Sequence, residues 1–304
     1  MPNRPLPAVR FPHPIEPSGA SEGGPHSPTA VREFGWSQVN AWLLSSTVAR
    51  PDFDSYLICA TPRSGSTLLC GLLESSGVAG HPASYFNRDA LNEYANQWGI
   101  PRPRDGRIDR AFVQAALTAG RTPNGIFGVR VMQETLPELV RALSVSAADP
   151  VDSELDPLTD VFGRIKFIHL RRCDVVAQAV SWARSLQTHF WHPGEAVLPG
   201  GQEPHYDEGL ISQLVARIGR SEAGWASWFD AHGIEALEVT YEELAADCHS
   251  AALSVIGFLG LELPEGRTLE SAQRQQADEL NAAWIHEFKA RSLGVGQPGQ
   301  QASP

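Results

Sequence analysis

Apolar residues in this chain gather into short runs of strand length, each followed by a turn-rich loop and then by apolar residues at helical spacing. Tyr56-Leu-Ile-Cys-Ala60 leads into Thr61-Pro-Arg-Ser-Gly-Ser-Thr67, after which Leu68, Leu69, Leu72 and Leu73 recur on one helical face until Gly77 supplies a left-handed stop. Lys166-Phe-Ile-His-Leu170 repeats the pattern through Arg171 and Arg172 into a helix from about Asp174 to Phe190, and Ala236-Leu-Glu-Val-Thr240 leads into a helix from Tyr241 through Leu259. Ile126-Phe-Gly-Val-Arg-Val131 reads as a further strand. Strands alternating with helices predict an α/β fold, an open parallel sheet with helices on both faces. The acidic stretch Asp149 to Asp160, which holds Pro150 and Pro157, reads as an exposed loop.

The ends of the chain follow a different pattern. Residues 1–30 are rich in Pro, Gly and Ser and read as a disordered tail. Trp36, Val39 and Leu43 have helical spacing before Pro51, so 31–54 is expected to be an accessory helix and linker. That leaves 55–292 as one domain and 293–304 as a second disordered tail.

Composition narrows the partners. Asp and Glu outnumber Lys and Arg by 35 to 24, a formal charge of −11, which disfavours nucleic acid and anionic lipid. The longest apolar run, Ala251 to Leu261, is too short to span a bilayer, and the first residues lack an apolar signal core, so a cytoplasmic location is expected. Cys59, Cys70, Cys173 and Cys248 have no CxxC spacing and sit in apolar stretches, which reads as buried free thiols, with no metal cluster expected. Only Lys166 and Lys289 are lysines, so any anion site must rely on arginine.

The first strand–loop–helix offers the amides of Arg63, Ser64, Gly65, Ser66 and Thr67 at a helix N-terminus, where unpaired N–H groups and the helix dipole attract an anion. This is P-loop-like, yet the GxxxxGK[ST] lysine is missing and Arg63 stands in the loop instead, which disfavours a nucleotide kinase. In the second unit Arg172 ends a strand, and Asp174, Gln178 and Ser181 share one face of the helix that follows, so Arg172 and Ser181 are candidates for a second phosphate. Both places follow carboxyl ends of strands, where open parallel sheets bind nucleotides.

The stretch from Tyr56 to Leu69 resembles the 5′-phosphosulfate loop of sulfotransferases, particularly the bacterial trehalose 2-sulfotransferase-like family. Further signature elements are Gly77-Val-Ala-Gly80 with Pro82 and Phe86, Arg121-Thr-Pro-Asn-Gly125 with Gly128, and Asp174-Val-Val176 with Gln178-Ala-Val-Ser181. Gln187-Thr188 with Trp191, Gly224-Trp225 with Trp228-Phe229, and Arg274-Gln-Gln-Ala-Asp278 before Trp284 complete an ordered series over most of the chain. The resemblance implies a single sulfotransferase domain that moves a sulfuryl group from 3′-phosphoadenosine 5′-phosphosulfate to a hydroxyl of a carbohydrate or other small metabolite. It implies Arg63 through Thr67 on the donor's 5′ side, Arg172 and Ser181 on its 3′-phosphate, and Arg274 and Gln275 closing over the nucleotide. A homodimer is also implied. A sulfuryl group carries less charge than a terminal phosphoryl, so arginine and loop amides suffice without a metal, and Arg63 is the expected stabiliser of the leaving oxygen.

The acceptor side departs from the family pattern, which places a glutamate base two residues after the proline; here Ser84 stands there in Gly80-His-Pro-Ala-Ser-Tyr-Phe86. His81 and Glu134 are the candidate replacements, and His81, Ser84, Tyr85 and Asn87 the candidate acceptor contacts. Without a base the chain reads alternatively as a non-catalytic nucleotide- or glycan-binding relative. His169, His189 and His192 read as core or surface residues, and Trp225 with Trp228 as a buried helix stripe; Trp98 and Trp191 stand open either to packing or to stacking on a ligand ring.

Overall fold

In a computed structural model the described residues are 52–103, 108–144, 153–189, 201, 203–271 and 279–292. The two tails and most of the accessory helix and linker lie outside them, as do Trp191, His192, Arg274 and Gln275. Strands β1 (Ser55–Ala60), β2 (Phe127–Met132), β3 (Ile165–Arg171) and β4 (Leu237–Thr240) form one sheet in the order β2-β1-β3-β4. Every pairing is parallel. Helices α1 (Ser66–Ser75), α2 (Leu91–Gln97) and α3 (Arg110–Ala119) connect β1 to β2. Helices α4 (Leu136–Leu143) and α5 (Asp156–Phe162) connect β2 to β3, and α6 (Val175–Thr188) and α7 (Glu208–Ala231) connect β3 to β4. Helices α8 (Tyr241–Ala246), α9 (Cys248–Phe258) and α10 (Glu279–Ser292) follow.

Strand side chains alternate between faces, and both faces are covered, which is why β1 reads as a continuous apolar run and β2 as one interrupted only by Arg130. Tyr56, Ile58, Ala60, Ile168 and Leu170 pack under α1 and α9, whereas Leu57, Cys59, Val129, Val131 and Phe167 pack against α3, α4, α5 and the Trp225–Trp228–Phe229 stripe of α7. A third cluster joins α6, α7 and α10 through Trp182, Ile218 and Trp284. The chain passes from β1 to β2 on one side and returns to β3 on the other. The carboxyl ends of β1 and β3 therefore flank the point where strand order reverses, the usual ligand crevice of such sheets.

Several local expectations change. The acidic loop contains α5, because Leu158 and Phe162 find buried positions and Pro157 suits a helix start. The expected helix from Tyr241 to Leu259 is two, because Asp247 turns out of helical geometry and its Oδ1 accepts from the Ser250 amide at 3.0 Å, capping α9 anew. Cys59 and Cys70 are buried, but Cys173 is exposed: it follows β3 in a loop whose amides reach Glu242. Trp98 stacks on Tyr94 at 5.0 Å between ring centroids and meets Phe112 at 5.1 Å, which makes it a packing residue. No described helix is long and apolar enough to cross a membrane.

Candidate active site

β1 ends in a loop that two helices grip. The Trp225 indole donates to the Ala60 carbonyl at 3.0 Å, and Gln178 Nε2 donates to the Thr61 hydroxyl at 2.9 Å and to the Pro62 carbonyl at 2.7 Å. Arg63 then adopts φ 65°, a left-handed conformation that costs a non-glycine residue roughly 1–2 kcal/mol, and Gly65 adopts φ 89°. This double reversal delivers Ser66 as the first residue of α1. Among the described residues no side chain caps that helix and its first turn holds no acidic residue, so the positive end of its dipole favours an anion. The fully buried Ser64 hydroxyl has no hydrogen-bond partner among the described residues.

Two guanidinium groups converge on the loop. Arg63 Nε donates to Ser181 Oγ at 3.0 Å, so the face of α6 that carries Gln178 and Ser181 steers both the backbone and the side chain of the loop. Arg130, the one charged residue of β2, donates from Nε to Ser84 Oγ at 2.8 Å and from a terminal nitrogen to Thr67 Oγ1 at 2.7 Å and Ser66 Oγ at 3.3 Å. Its hydrogen-bond partners among the described residues are neutral hydroxyls, so its charge remains available to a ligand oxygen.

The second candidate phosphate position lies at the end of β3. The Arg172 guanidinium stacks 4.1 Å over the Tyr241 ring, and its buried Nε has no hydrogen-bond partner among the described residues. Burial pulls that guanidinium below its ordinary pKa, against the pull of Tyr241, Glu242 and Asp174. Asp174 caps α6 through the Ala177 amide at 2.9 Å and takes Lys289 at 2.9 Å. Burial opposes its ionisation, yet these contacts outweigh the penalty and hold the carboxyl below its ordinary value. Tyr241 also covers the first loop, since a Cβ on Gly65 would lie 2.8 Å from its Cδ2.

The acceptor-side candidates separate. After Gly80 the chain runs parallel to β2, with Ala83 bridging Val129, and this brings Ser84 up to Arg130. Asn87 follows, 8% exposed, its buried Nδ2 without a partner among the described residues, beside Ser84, Arg130 and Thr135 around a cavity of about 10 Å³. His81 is not brought there. Its Nδ1 pairs with Glu74 at 3.1 Å near the C-terminus of α1, about 12 Å along the helix axis from Ser66 at 1.5 Å per residue. Tyr85 is buried against Phe127, Tyr94 and Trp98, its hydroxyl donating to the His81 carbonyl, and burial pushes its phenol well above the ordinary value. Glu134 stands on the loop side, just after β2, with Arg217 gripping both carboxylate oxygens and Ser221 at 3.5 Å.

The model of the Stf0 sulphotransferases matches residues 55–291 of this sequence. The chain belongs to that family. It is a sulfotransferase, and sulfuryl transfer is its chemistry. Trehalose 2-sulfotransferase of Mycobacterium tuberculosis is 30% identical to it over 264 residues, spanning 80% of this chain and 97% of that protein. The protein of the same description from Mycolicibacterium smegmatis is 29% identical over 268 residues, with the same coverage of both chains. Among solved structures, a sulfotransferase from Alicyclobacillus acidocaldarius aligns over 82% of this chain and 96% of that one at 14% identity and TM-score 0.42. Sulfotransferase STF9 from Mycobacterium avium aligns over 84% and 72% at 12% identity and TM-score 0.39.

Two residues of the candidate site were not singled out from the sequence. Arg130 carried a signal, a lone charge in the apolar run of β2, whereas Tyr241 looked like an ordinary first residue of a helix.

Proposed function

We propose that the donor is 3′-phosphoadenosine 5′-phosphosulfate and that it lies across the carboxyl ends of β1 and β3. The observation that carries this reading is the pairing of two anion-ready positions at the strand-order reversal: a helix N-terminus that no described side chain caps, beside Arg63 and Arg130, and Arg172 with an N–H that has no partner among the described residues. The loop amides, Ser64 and Arg63 fit the 5′ side. Arg172 fits the 3′-phosphate. Ser181 accepts from Arg63 through its oxygen and keeps its own hydroxyl proton to donate to a phosphate oxygen. Arg274 and Gln275 belong to the same reading on the resemblance alone, as do a homodimer and a cytoplasmic location.

When bound, the donor supplies an activated sulfuryl group joined to the 5′-phosphate through a bridging oxygen. Arg63 stabilises the charge that grows on that oxygen as the bond to sulfur breaks, and its fixed guanidinium supplies this without reorganisation or a metal. Arg130, Ser84 and Asn87 orient the acceptor, a hydroxyl of a carbohydrate or other small metabolite. Ser84 holds no charge with which to take the acceptor's proton. Of the two titratable candidates Glu134 is the one on the loop side, and it serves as base on leaving Arg217.

Radiolabelled donor incubated with trehalose and a panel of sugar and metabolite alcohols tests this, alongside calorimetry with adenosine 3′,5′-bisphosphate and with ATP and Mg²⁺. Binding of the bisphosphate and label transfer to an alcohol are expected. Preference for ATP and Mg²⁺ would overturn the donor assignment.

A further inference from the structure

Behind the loop runs a chain of hydrogen bonds made by none of the residues assigned above to a ligand. Glu222, on α7, accepts from the fully buried Thr61 hydroxyl at 2.8 Å through Oε1 and pairs with His169 Nε2 at 3.0 Å through Oε2. Thr61 in turn accepts from Gln178 Nε2, whose second proton goes to the Pro62 carbonyl.

The direction of this chain is forced from both ends. A carboxylate and a peptide carbonyl only accept, a threonine hydroxyl has a single proton, and an amide nitrogen has two. Thr61 therefore gives its proton to Glu222 and turns a lone pair to Gln178, and the Gln178 nitrogen must lie between Thr61 and Pro62. The reversed amide would set Oε1 against the Pro62 carbonyl. Gln178 Oε1 is instead left buried without a partner among the described residues, a cost of about 1–3 kcal/mol that the arrangement tolerates. The Pro62 carbonyl belongs to the peptide unit that enters Arg63, so the Gln178 bond fixes that peptide plane and holds Arg63 in its left-handed conformation. One turn along α7 from Glu222, Trp225 pins the Ala60 carbonyl.

We propose that Glu222 is a positioning residue of the anion-binding loop: its carboxylate sets the direction of the chain Glu222–Thr61–Gln178–Pro62 and thereby holds Arg63 for transfer. What the loop binds rests on the donor assignment above; the positioning role does not. Through His169 and Glu222 the chain ends at a groove of about 740 Å³ also lined by Arg171, Arg172, Phe229 and Glu238, so its outer end shares a wall with the proposed 3′-phosphate position, and amide exchange in the loop, not affinity alone, reports the effect on Arg63.

The test compares Glu222→Ala, Glu222→Gln and Thr61→Val with the wild type by amide hydrogen exchange and by calorimetry with adenosine 3′,5′-bisphosphate. Glu222→Ala and Thr61→Val are expected to speed exchange of amides 63–67 about tenfold, leave α9 unchanged, and weaken the bisphosphate about fivefold at unaltered stoichiometry. Glu222→Gln still offers an oxygen to Thr61, so it is expected to stay within about twofold of wild type. Unchanged loop exchange in both disruptive variants overturns the proposal. So does equal acceleration in α9, or a loss of stoichiometry at constant affinity, either of which marks general loosening. A wild type that does not bind the bisphosphate refutes the donor assignment, and loop exchange then decides the positioning role alone.

Discussion

Gly65→Ala perturbs the loop in a way the structure makes quantitative. At φ 89° any residue with a Cβ pays about 1–2 kcal/mol, and here the added methyl also meets Tyr241 Cδ2 at 2.8 Å. Tyr241 has little room to yield, because it opens α8 directly after the Thr240 capping box, in which Thr240 and Glu243 bond reciprocally. Its ring therefore shifts together with the Arg172 guanidinium stacked on it. The backbone cost alone should lower the melting temperature by roughly 2–8 °C for a domain of this size. Displacing Arg172 should cost a charge-assisted contact of about 1.5–3 kcal/mol, and this loss falls on ligands with a 3′-phosphate. Gly233→Ala is the control: φ is 60°, but nothing lies within 4 Å of its added Cβ, so it pays only the backbone cost. Scanning calorimetry and titration with adenosine 3′,5′-bisphosphate and adenosine 5′-phosphate read the two effects. If Gly65→Ala matches Gly233→Ala in melting temperature and also keeps wild-type preference for the bisphosphate, the coupling of the loop to Arg172 through Tyr241 is refuted.

Arg63→Ala and Arg63→Lys should each lower turnover about 10²–10³-fold while changing affinity for the bisphosphate far less, because the planar charge matters most as the leaving oxygen develops; unchanged kcat in single-turnover assays would remove Arg63 from the chemistry. Arg172→Ala should weaken the bisphosphate about tenfold or more and leave adenosine 5′-phosphate nearly unaffected, with Ser181→Ala showing a smaller loss of the same kind; equal losses for both nucleotides in calorimetry would place these side chains elsewhere. His81→Ala should keep turnover within about threefold, since its imidazole pairs with Glu74 away from the loop, whereas Glu134→Gln should cost about 10²–10⁴-fold. The opposite ranking in a transfer assay with any accepted alcohol would return the base to His81.

What was legible in the sequence was local. A strand covered on both faces reads as a mostly apolar run, so Tyr56–Ala60 and Lys166–Leu170, the latter interrupted by Lys166 and His169, announced β1 and β3 within a residue at each end. The turn residues after Tyr56–Ala60 announced the loop, and the spacing of Gln178 and Ser181 announced one helix face, because a period of 3.6 needs no tertiary information. Arg63 and Arg172 followed from the same local logic: each ends or follows a strand of a parallel sheet.

Tertiary structure decided which distant segments share a site. Only the course of the chain from Gly80 alongside β2 determines that Ser84 reaches Arg130 and that His81, three positions earlier in sequence, stays near the far end of α1. A helix that terminates at Asp247 rather than running on from Tyr241 depends on a cap whose advantage was invisible in the apolar periodicity. The contact between Thr61 and Glu222 closes 161 residues of sequence, and the stacking of Arg172 on Tyr241 joins the segments that follow β3 and β4. Apolar spacing encodes which face of an element is buried, but hydrogen-bond partners between elements depend on register and crossing geometry. Those are fixed only when the whole sheet and its helices pack together.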